Sequence, residues 1–389
     1  MAGSDIRVGI DEFTLVLQTI KIDDMKLDEW LEIADEMVME FRIRSRIERL
    51  FGRLEPAETK LQAGYTYGLT YTDEPWYFMI SWHDVFVKMG VCVKFSAYAY
   101  AAYKQAFRDK YQQDINIVSF LRMVQSKNYT MRLSRIDLTA DYFDFPDPLF
   151  PNRFLEPDSI YRRLQDGTYK IKNHKGKSTL KTFSALHKDG TYETFYAGSK
   201  RGKTDGFLRC YDKKEEQIQT HGFRFREAEN CKSWVRFEAV FRHEYAHQIS
   251  EQLLKKVHTD AELQQAIAKH IVDKYCFYDI ALDEPTTFSD ALAEIAAGAN
   301  VAALSSPNAR DNSLTQSIEH LIKGSGLFST LYKVYVIWGD TAESELLQFL
   351  IDYYESKYKP KADEKDDIQY WLRKHYRSLK GTTLADSLP

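Results

Sequence analysis

Two segments of this chain alternate apolar and polar residues so strictly that a helical reading fails for both. In "RLSRIDLTADYF" (132–143), Ile136, Leu138, Ala140 and Tyr142 fall on one side of an extended strand. Arg135, Asp137, Thr139 and Asp141 fall on the other. In "WVRFEAVFR" (234–242), Val235, Phe237, Ala239 and Phe241 oppose Arg236, Glu238, Val240 and Arg242. "FLRCYDKKEEQ" (207–217) begins the same way, with Arg209 and Tyr211 set against Leu208 and Cys210. Strands of this kind belong in an antiparallel sheet with one face on a core. Where the three are neighbours, carboxylates from two of them and a tyrosine from the third converge on the opposite face.

The remaining pattern predicts an α+β chain: an antiparallel-sheet catalytic domain with flanking helices, followed by a mostly helical C-terminal region. Residues 7–17 read as a strand carrying Asp11 in apolar company, and 27–51 as a charged helix with Trp30, Ala34, Met37, Val38 and Phe41 at helical spacing. Further strands are expected at 179–186, 191–197, 207–211 and 234–241, and beyond His243 the spacing is helical. The expected division is 1–255, with its catalytic core at about 130–250, and 256–389.

Composition narrows the class. Net charge is −4, yet residues 160–214 hold 14 Lys and Arg against 5 Asp and Glu, a footprint suited to a phosphate backbone. The four cysteines are scattered without a CxxC pair, as in reduced cytosolic proteins. Neither a signal peptide nor an apolar run of membrane-spanning length is present, so no membrane partner is expected.

The converging face has a chemical use. Asp137 and Glu238, with Asp141 or Asp11, offer hard oxygen ligands suited to Mg²⁺ or Mn²⁺, and such a cation polarises a phosphoryl oxygen. Tyr211 is a candidate nucleophile that would need activation, and Arg209, Lys213 and Lys214 are close enough in sequence to stabilise a phenolate or a phosphate.

Two motifs compete with this reading. "AGSKRGKT" (197–204) has three residues between its glycines where a P-loop has four, and a strand rather than a helix follows, so a basic hairpin turn is expected. "HEYAH" (243–247) has zinc-peptidase spacing in His243, Glu244 and His247, but no third ligand is singled out.

Taken in order, "RIDLTADYFD", "TFYAGSKRGKTDGFLRCYDKKEEQ" and "SWVRFEAVFR" resemble the core blocks of the Rep_trans replication initiation factor family; "GIDEFTLVL" and "MGVCVKFSAYAYAAY" resemble its N-terminal blocks. The resemblance covers most of residues 7–255. It implies a bacterial, cytoplasmic, metal-dependent endonuclease and strand transferase that nicks one strand at an origin and holds the 5′ phosphate on a tyrosine. Such an enzyme would start rolling-circle replication of a plasmid or mobile element and later rejoin the ends. The family nucleophile block falls on Arg209, Tyr211, Asp212, Lys213 and Lys214, with Tyr196 in reserve. Its acidic positions fall on Asp137 and Glu238, and also on Asp141 and Glu216. Lys200, Arg201, Lys203 and Arg236 are the expected DNA contacts. The implied partners are duplex origin DNA, the nicked single strand, a host helicase and a second copy of the chain. Alternatives are a conjugative relaxase using the same chemistry at a transfer origin, a zinc peptidase, and a non-catalytic origin-binding protein. "HLIKGSGLFSTLYKVYVIWG" looks more like the conjugative branch, whereas no helix-turn-helix precedes Gly9, which leans toward a plasmid initiator.

Overall fold

The computed structural model describes residues 5–20, 29–57, 61–62, 64–73, 77–178, 183–188, 190–200, 204–305, 314–360 and 362–388. It forms two compact units, Met1–Ser305 and Ser306–Pro389.

The first unit is built on a ten-stranded antiparallel sheet. Its strands in chain order are β1 (Asp5–Thr19), β2 (Glu55–Pro56), β3 (Tyr67–Thr70), β4 (Phe78–Trp82), β5 (Val91–Phe95), β6 (Tyr129–Phe143), β8 (Phe183–Lys188), β9 (Thr191–Ala197), β10 (Gly206–Asp212) and β11 (Trp234–Arg242). Their spatial order is β2-β3-β4-β5-β1-β6-β11-β10-β9-β8. A second sheet orders β13 (Glu284–Pro285), β12 (Cys276–Asp279) and β7 (Tyr169–Lys172). Sequence periodicity had not revealed these three, because strands of two to four residues are too short to display a period.

The helices of this unit are α1 (Trp30–Ser45), α2 (Ile47–Phe51), α3 (Ala97–Tyr111), α4 (Ile117–Val124), α5 (Pro157–Gln165), α6 (Lys213–Thr220), α7 (Phe225–Asn230), α8 (His243–Lys256), α9 (Asp260–Lys274) and α10 (Thr287–Ala296). The helix expected at 27–51 is broken at Arg46, whose left-handed backbone (φ 55°) ends α1, and residues 21–28 lie outside the described set.

The apolar side of β6 and β11 is covered by the small sheet and the helices around it. Phe237 stacks on Phe277 at 5.4 Å and meets Phe288 edge-on at 5.6 Å, while the Tyr142 hydroxyl donates to the Phe288 carbonyl at 2.9 Å. Burying three such rings is worth several kcal/mol, and it requires β12 and α10. The compact unit therefore runs past the expected boundary at 255, which falls inside α8, and includes α9, β12, β13 and α10. Backbone amides of Ala302 and Ser305 still bond side chains of α8 (Gln252 and Gln248, 2.6 and 3.0 Å). On the other half of the sheet, Phe13 and Phe95 stack at 4.9 Å beneath Tyr100 of α3 and Phe120 of α4.

The second unit is helical: α11 (Leu314–Lys323), α12 (Leu327–Trp338), α13 (Asp340–Ser356) and α14 (Ala362–Leu379). Among the described residues, no helix of either unit is long and apolar enough to cross a membrane.

Candidate active site

The three alternating strands are direct neighbours, in the order β6-β11-β10, with β9 beyond. Register brings Tyr196, Arg209, Glu238 and Thr139 into one row and Thr194, Tyr211, Arg236 and Asp141 into the next. Residues opposite one another in antiparallel strands share a face, so the polar sides expected from each sequence do converge.

One end of this face opens into a pocket of about 300 Å³, lined by Asp11, Glu12, Arg135, Asp137, Arg209 and Glu238, with Tyr196, Lys200 and Phe207 at its walls. Asp137 is 1% exposed and is gripped by Arg135 through two hydrogen bonds of 2.9 and 2.6 Å. Glu238, 3% exposed, accepts from Arg209 at 2.5 Å and from the Tyr211 hydroxyl at 3.3 Å on the same oxygen. Burial pushes the Asp137 carboxyl up to about 7; Arg135 opposes this, while the neighbouring charges of Glu238 and Glu12 add to it. Glu238 is raised by burial against the pull of Arg209. Tyr211 is raised well above the ordinary phenol range by burial and by the Glu238 charge.

Glu12 is a residue that sequence reading missed. The β1–β6 register slips between Ile10↔Leu138 and Phe13↔Ile136. This bulge puts one extra residue into β1, so two consecutive side chains, Asp11 and Glu12, both line the pocket. Strict alternation would have sent one of them into the core. Glu12 Oε1 lies 2.8 Å from Arg135 and 3.4 Å from Lys94.

Of the other expected residues, Lys200 stays at the pocket wall, and most of the rest separate from it for identifiable reasons. Asp141 is 3% exposed and clamped by Arg236 through two bonds of 2.6 and 2.8 Å, with Arg224 on the same carboxylate at 2.8 Å. Burial raises this carboxyl, but the two guanidiniums prevail and hold it below its ordinary range. Arg236 also reaches Asp11 at 2.8 Å and is itself buried, which corrects its expected role as a DNA contact. Asp212 ends β10 and caps α6 by accepting from the Glu215 amide at 2.8 Å. Lys213, next in line, is buried and pairs with Glu216 at 2.7 Å, its ammonium 5.6 Å from the Tyr211 ring. Lys214 turns away to the carbonyl of Cys231 at 2.6 Å. Lys200 stands over the Tyr196 ring at 3.7 Å, and Arg201 and Lys203 lie outside the described residues.

The competing motifs are also placed. Antiparallel β9 and β10 lie on either side of the expected turn, and Gly206 opens a strand rather than a helix; residues 201–203 of that turn lie outside the described residues. His243 begins α8 with a left-handed backbone (φ 49°), and Glu244 lies 3.6 Å from His247.

Among the described residues, no group of three or more His, Cys, Asp and Glu is arranged to hold a metal ion. The donor chemistry of the pocket nevertheless suits a hard cation. Four carboxylates line it, and Asp137 titrates high because burial and its acidic neighbours leave it short of positive charge. In this arrangement Arg135 is the counter-ion of both Asp137 and Glu12.

No curated protein matches the sequence. Among solved structures, the chain is similar to that of the rolling circle replication initiator protein from Geobacillus stearothermophilus, 14% identical, with a TM-score of 0.49 and coverage of 77% of this chain and 100% of that one. Residues 131–291, the segment from β6 to α10 that brings Asp137, Tyr211 and Glu238 together, match the replication initiation factor family, Rep_trans, which the sequence blocks resemble.

Proposed function

We propose that this protein is an origin-specific DNA nicking-closing enzyme that starts rolling-circle replication through a 5′-phosphotyrosine link. The observation that carries this reading is the contact of the Tyr211 hydroxyl with Glu238, 3.3 Å, on a carboxylate also held by Arg209. A phenol with a raised pKa needs a base in contact with it, and a carboxylate whose own pKa is raised accepts a proton more readily than an ordinary one.

In the step, the Tyr211 oxygen attacks phosphorus and its proton passes to Glu238. The bond from phosphorus to the 3′ oxygen breaks, and that oxygen leaves with the bonding pair and takes a proton from solvent water to become a free hydroxyl. Arg209 stabilises the charge gathering on the phosphoryl oxygens. Attack by the 3′ hydroxyl in reverse rejoins the strand, because the phosphotyrosine conserves the phosphodiester. A divalent cation of the Mg²⁺ or Mn²⁺ kind, held by Asp137 and Glu238 with Asp11 and Glu12 behind them, would polarise the phosphoryl oxygen. Asp141 and Glu216, engaged by other partners, are left out of that set. Tyr196, opposite Arg209 in the register, is the second candidate nucleophile. The reading also brings duplex origin DNA, the nicked strand, a helicase and a second copy of the chain as partners, in a bacterial cytoplasm. A relaxase acting at a transfer origin would use the same residues.

The test is incubation of supercoiled DNA bearing a candidate origin with Mg²⁺ or Mn²⁺. Relaxed product and a covalent protein–DNA adduct are expected from the wild type and neither from Tyr211→Phe. An adduct that survives the substitution moves the nucleophile to Tyr196, and origin binding without nicking by the wild type overturns the enzymatic reading.

A further inference from the structure

A second concavity adjoins the pocket. A cavity of about 270 Å³ shares Asp11 with it and is walled by Gly9, Tyr100, Thr139 and Asp141. That cavity in turn shares Ala101, Lys104, Phe223 and Arg224 with a groove of about 1070 Å³ between α3 and the start of α9. The three adjoin in sequence, from the α3 side across the bulge of β1 to Glu238.

The groove is not a general cation surface. Arg108 pairs with Asp114, and Arg224 with Asp141 and Glu227. The Arg7 side chain pairs with Asp5 and Glu227. Among the described residues, Lys104 is the groove cation without an ion-pair or hydrogen-bond partner, its ammonium 4.8 Å from the Tyr100 ring. Desolvation holds that ammonium below the ordinary lysine range, and Arg224 and Arg108 act in the same direction against Asp11. Beside it Phe223 is 47% exposed and meets Tyr98 edge-on at 5.6 Å, which leaves an aromatic face open to the groove.

A duplex backbone calls for many free cations, whereas a single strand is held by a few phosphate contacts and by stacking of bases on aromatic rings. We infer that this groove guides a single DNA strand to the pocket, with Lys104 on one phosphate and Phe223 as a stacking platform. The inference takes its destination from the nicking reading but is tested by binding alone.

The probe is a fluorescein-labelled oligothymidylate titrated into full-length protein by anisotropy at several salt concentrations. Phe223→Ala is expected to weaken binding about tenfold. Lys104→Gln should weaken it severalfold and flatten the slope of log K against log salt by about 0.7, the share of one phosphate contact on a single strand. Lys104→Arg should restore that slope, and Lys255→Gln, an exposed position on α8 that lines none of the three cavities, should bind as wild type does. Wild-type affinity and slope in both groove variants would overturn the inference, as would an equal loss on a duplex of the same length. Weakened oligonucleotide binding in the groove variants of a protein that nicks no origin would uphold the groove and sink the nicking reading instead.

Discussion

Asp137 and Asp141 lie four residues apart on the same face of β6, both almost wholly buried, and their surroundings drive them in opposite directions. Asp141 meets two guanidiniums and is held below the ordinary carboxylate range. Asp137 meets one, which Glu12 shares, and with Glu238 as a further acidic neighbour it is pushed up to about 7. Burial is common to the two, so the difference comes from the balance of charges around them. A buried carboxylate with a surplus of positive partners is a structural joint. One with a deficit is poised to take up a proton or a cation, and it lines the open pocket.

The largest effect should come from Glu238 in the pocket and from Tyr211, which bonds to it. In the proposed reaction, replacing Tyr211 with Phe would remove the attacking oxygen, and replacing Glu238 with Gln would remove its base. Nicking is expected to fall at least 10²–10⁴-fold in Glu238→Gln and to vanish in Tyr211→Phe, measured as relaxed plasmid per unit time. Tyr211→Phe should change stability by only about 1 kcal/mol, the worth of one hydrogen bond. In the clamp the expectation is inverted. Asp141→Asn leaves buried Arg236 and half-buried Arg224 against too little negative charge, and urea unfolding should show a loss of about 3–5 kcal/mol. A stable Asp141→Asn that no longer nicks would erase the distinction between joint and site.

Sequence alternation made the face legible because β6, β10 and β11 are regular: Asp137, Glu238, Arg209 and Tyr211 fell where parity put them. It failed wherever a second strand decides the outcome. Arg236 has the parity of a surface cation, but its partners Asp141 and Asp11 lie on two other strands, and only their register reveals the clamp. Glu12 was hidden by the bulge, which changes the count by one and leaves no mark in the local pattern. Lys213 and Lys214 are adjacent in sequence yet part company at the cap of α6, one toward Glu216 and the other toward Cys231. The short strands β7, β12 and β13 carry too few residues for a period, and with them went the extent of the first unit.

A subtler difference between the two aspartates should appear in the pH dependence of stability. A folded-state pKa raised from 3.8 to about 7 means that the folded chain binds a proton the unfolded chain has released. Asp137 therefore subtracts from stability as pH rises from about 4 to 7. Asp141, depressed, adds stability above the ordinary carboxylate range, and this is lost as pH falls through its folded value. Asp137→Asn should match wild type near pH 4 and exceed it by about 1 kcal/mol or more at pH 8, each unit of displacement being worth about 1.4 kcal/mol. A variant less stable than wild type at pH 8 would mean that the Arg135 pairing outweighs the repulsion, and Asp137 would then be a joint like Asp141.

The smallest effect isolates the cause of the Asp137 displacement. Glu12 is the like-charged neighbour that the bulge supplies, and it shares Arg135 with Asp137. Glu12→Gln removes repulsion and leaves the shared guanidinium wholly to Asp137, so both changes favour the ionised form. The midpoint of the pH-dependent gap between this background and its Asp137→Asn double variant should move down by a fraction of a unit. Asp141, four residues further along β6 from the bulge and held by its own arginines, should show no movement. An unchanged Asp137 midpoint would leave desolvation and Glu238 as the whole cause, and Glu12 would then belong with Lys94 as a rim ion pair rather than with the carboxylates of the pocket.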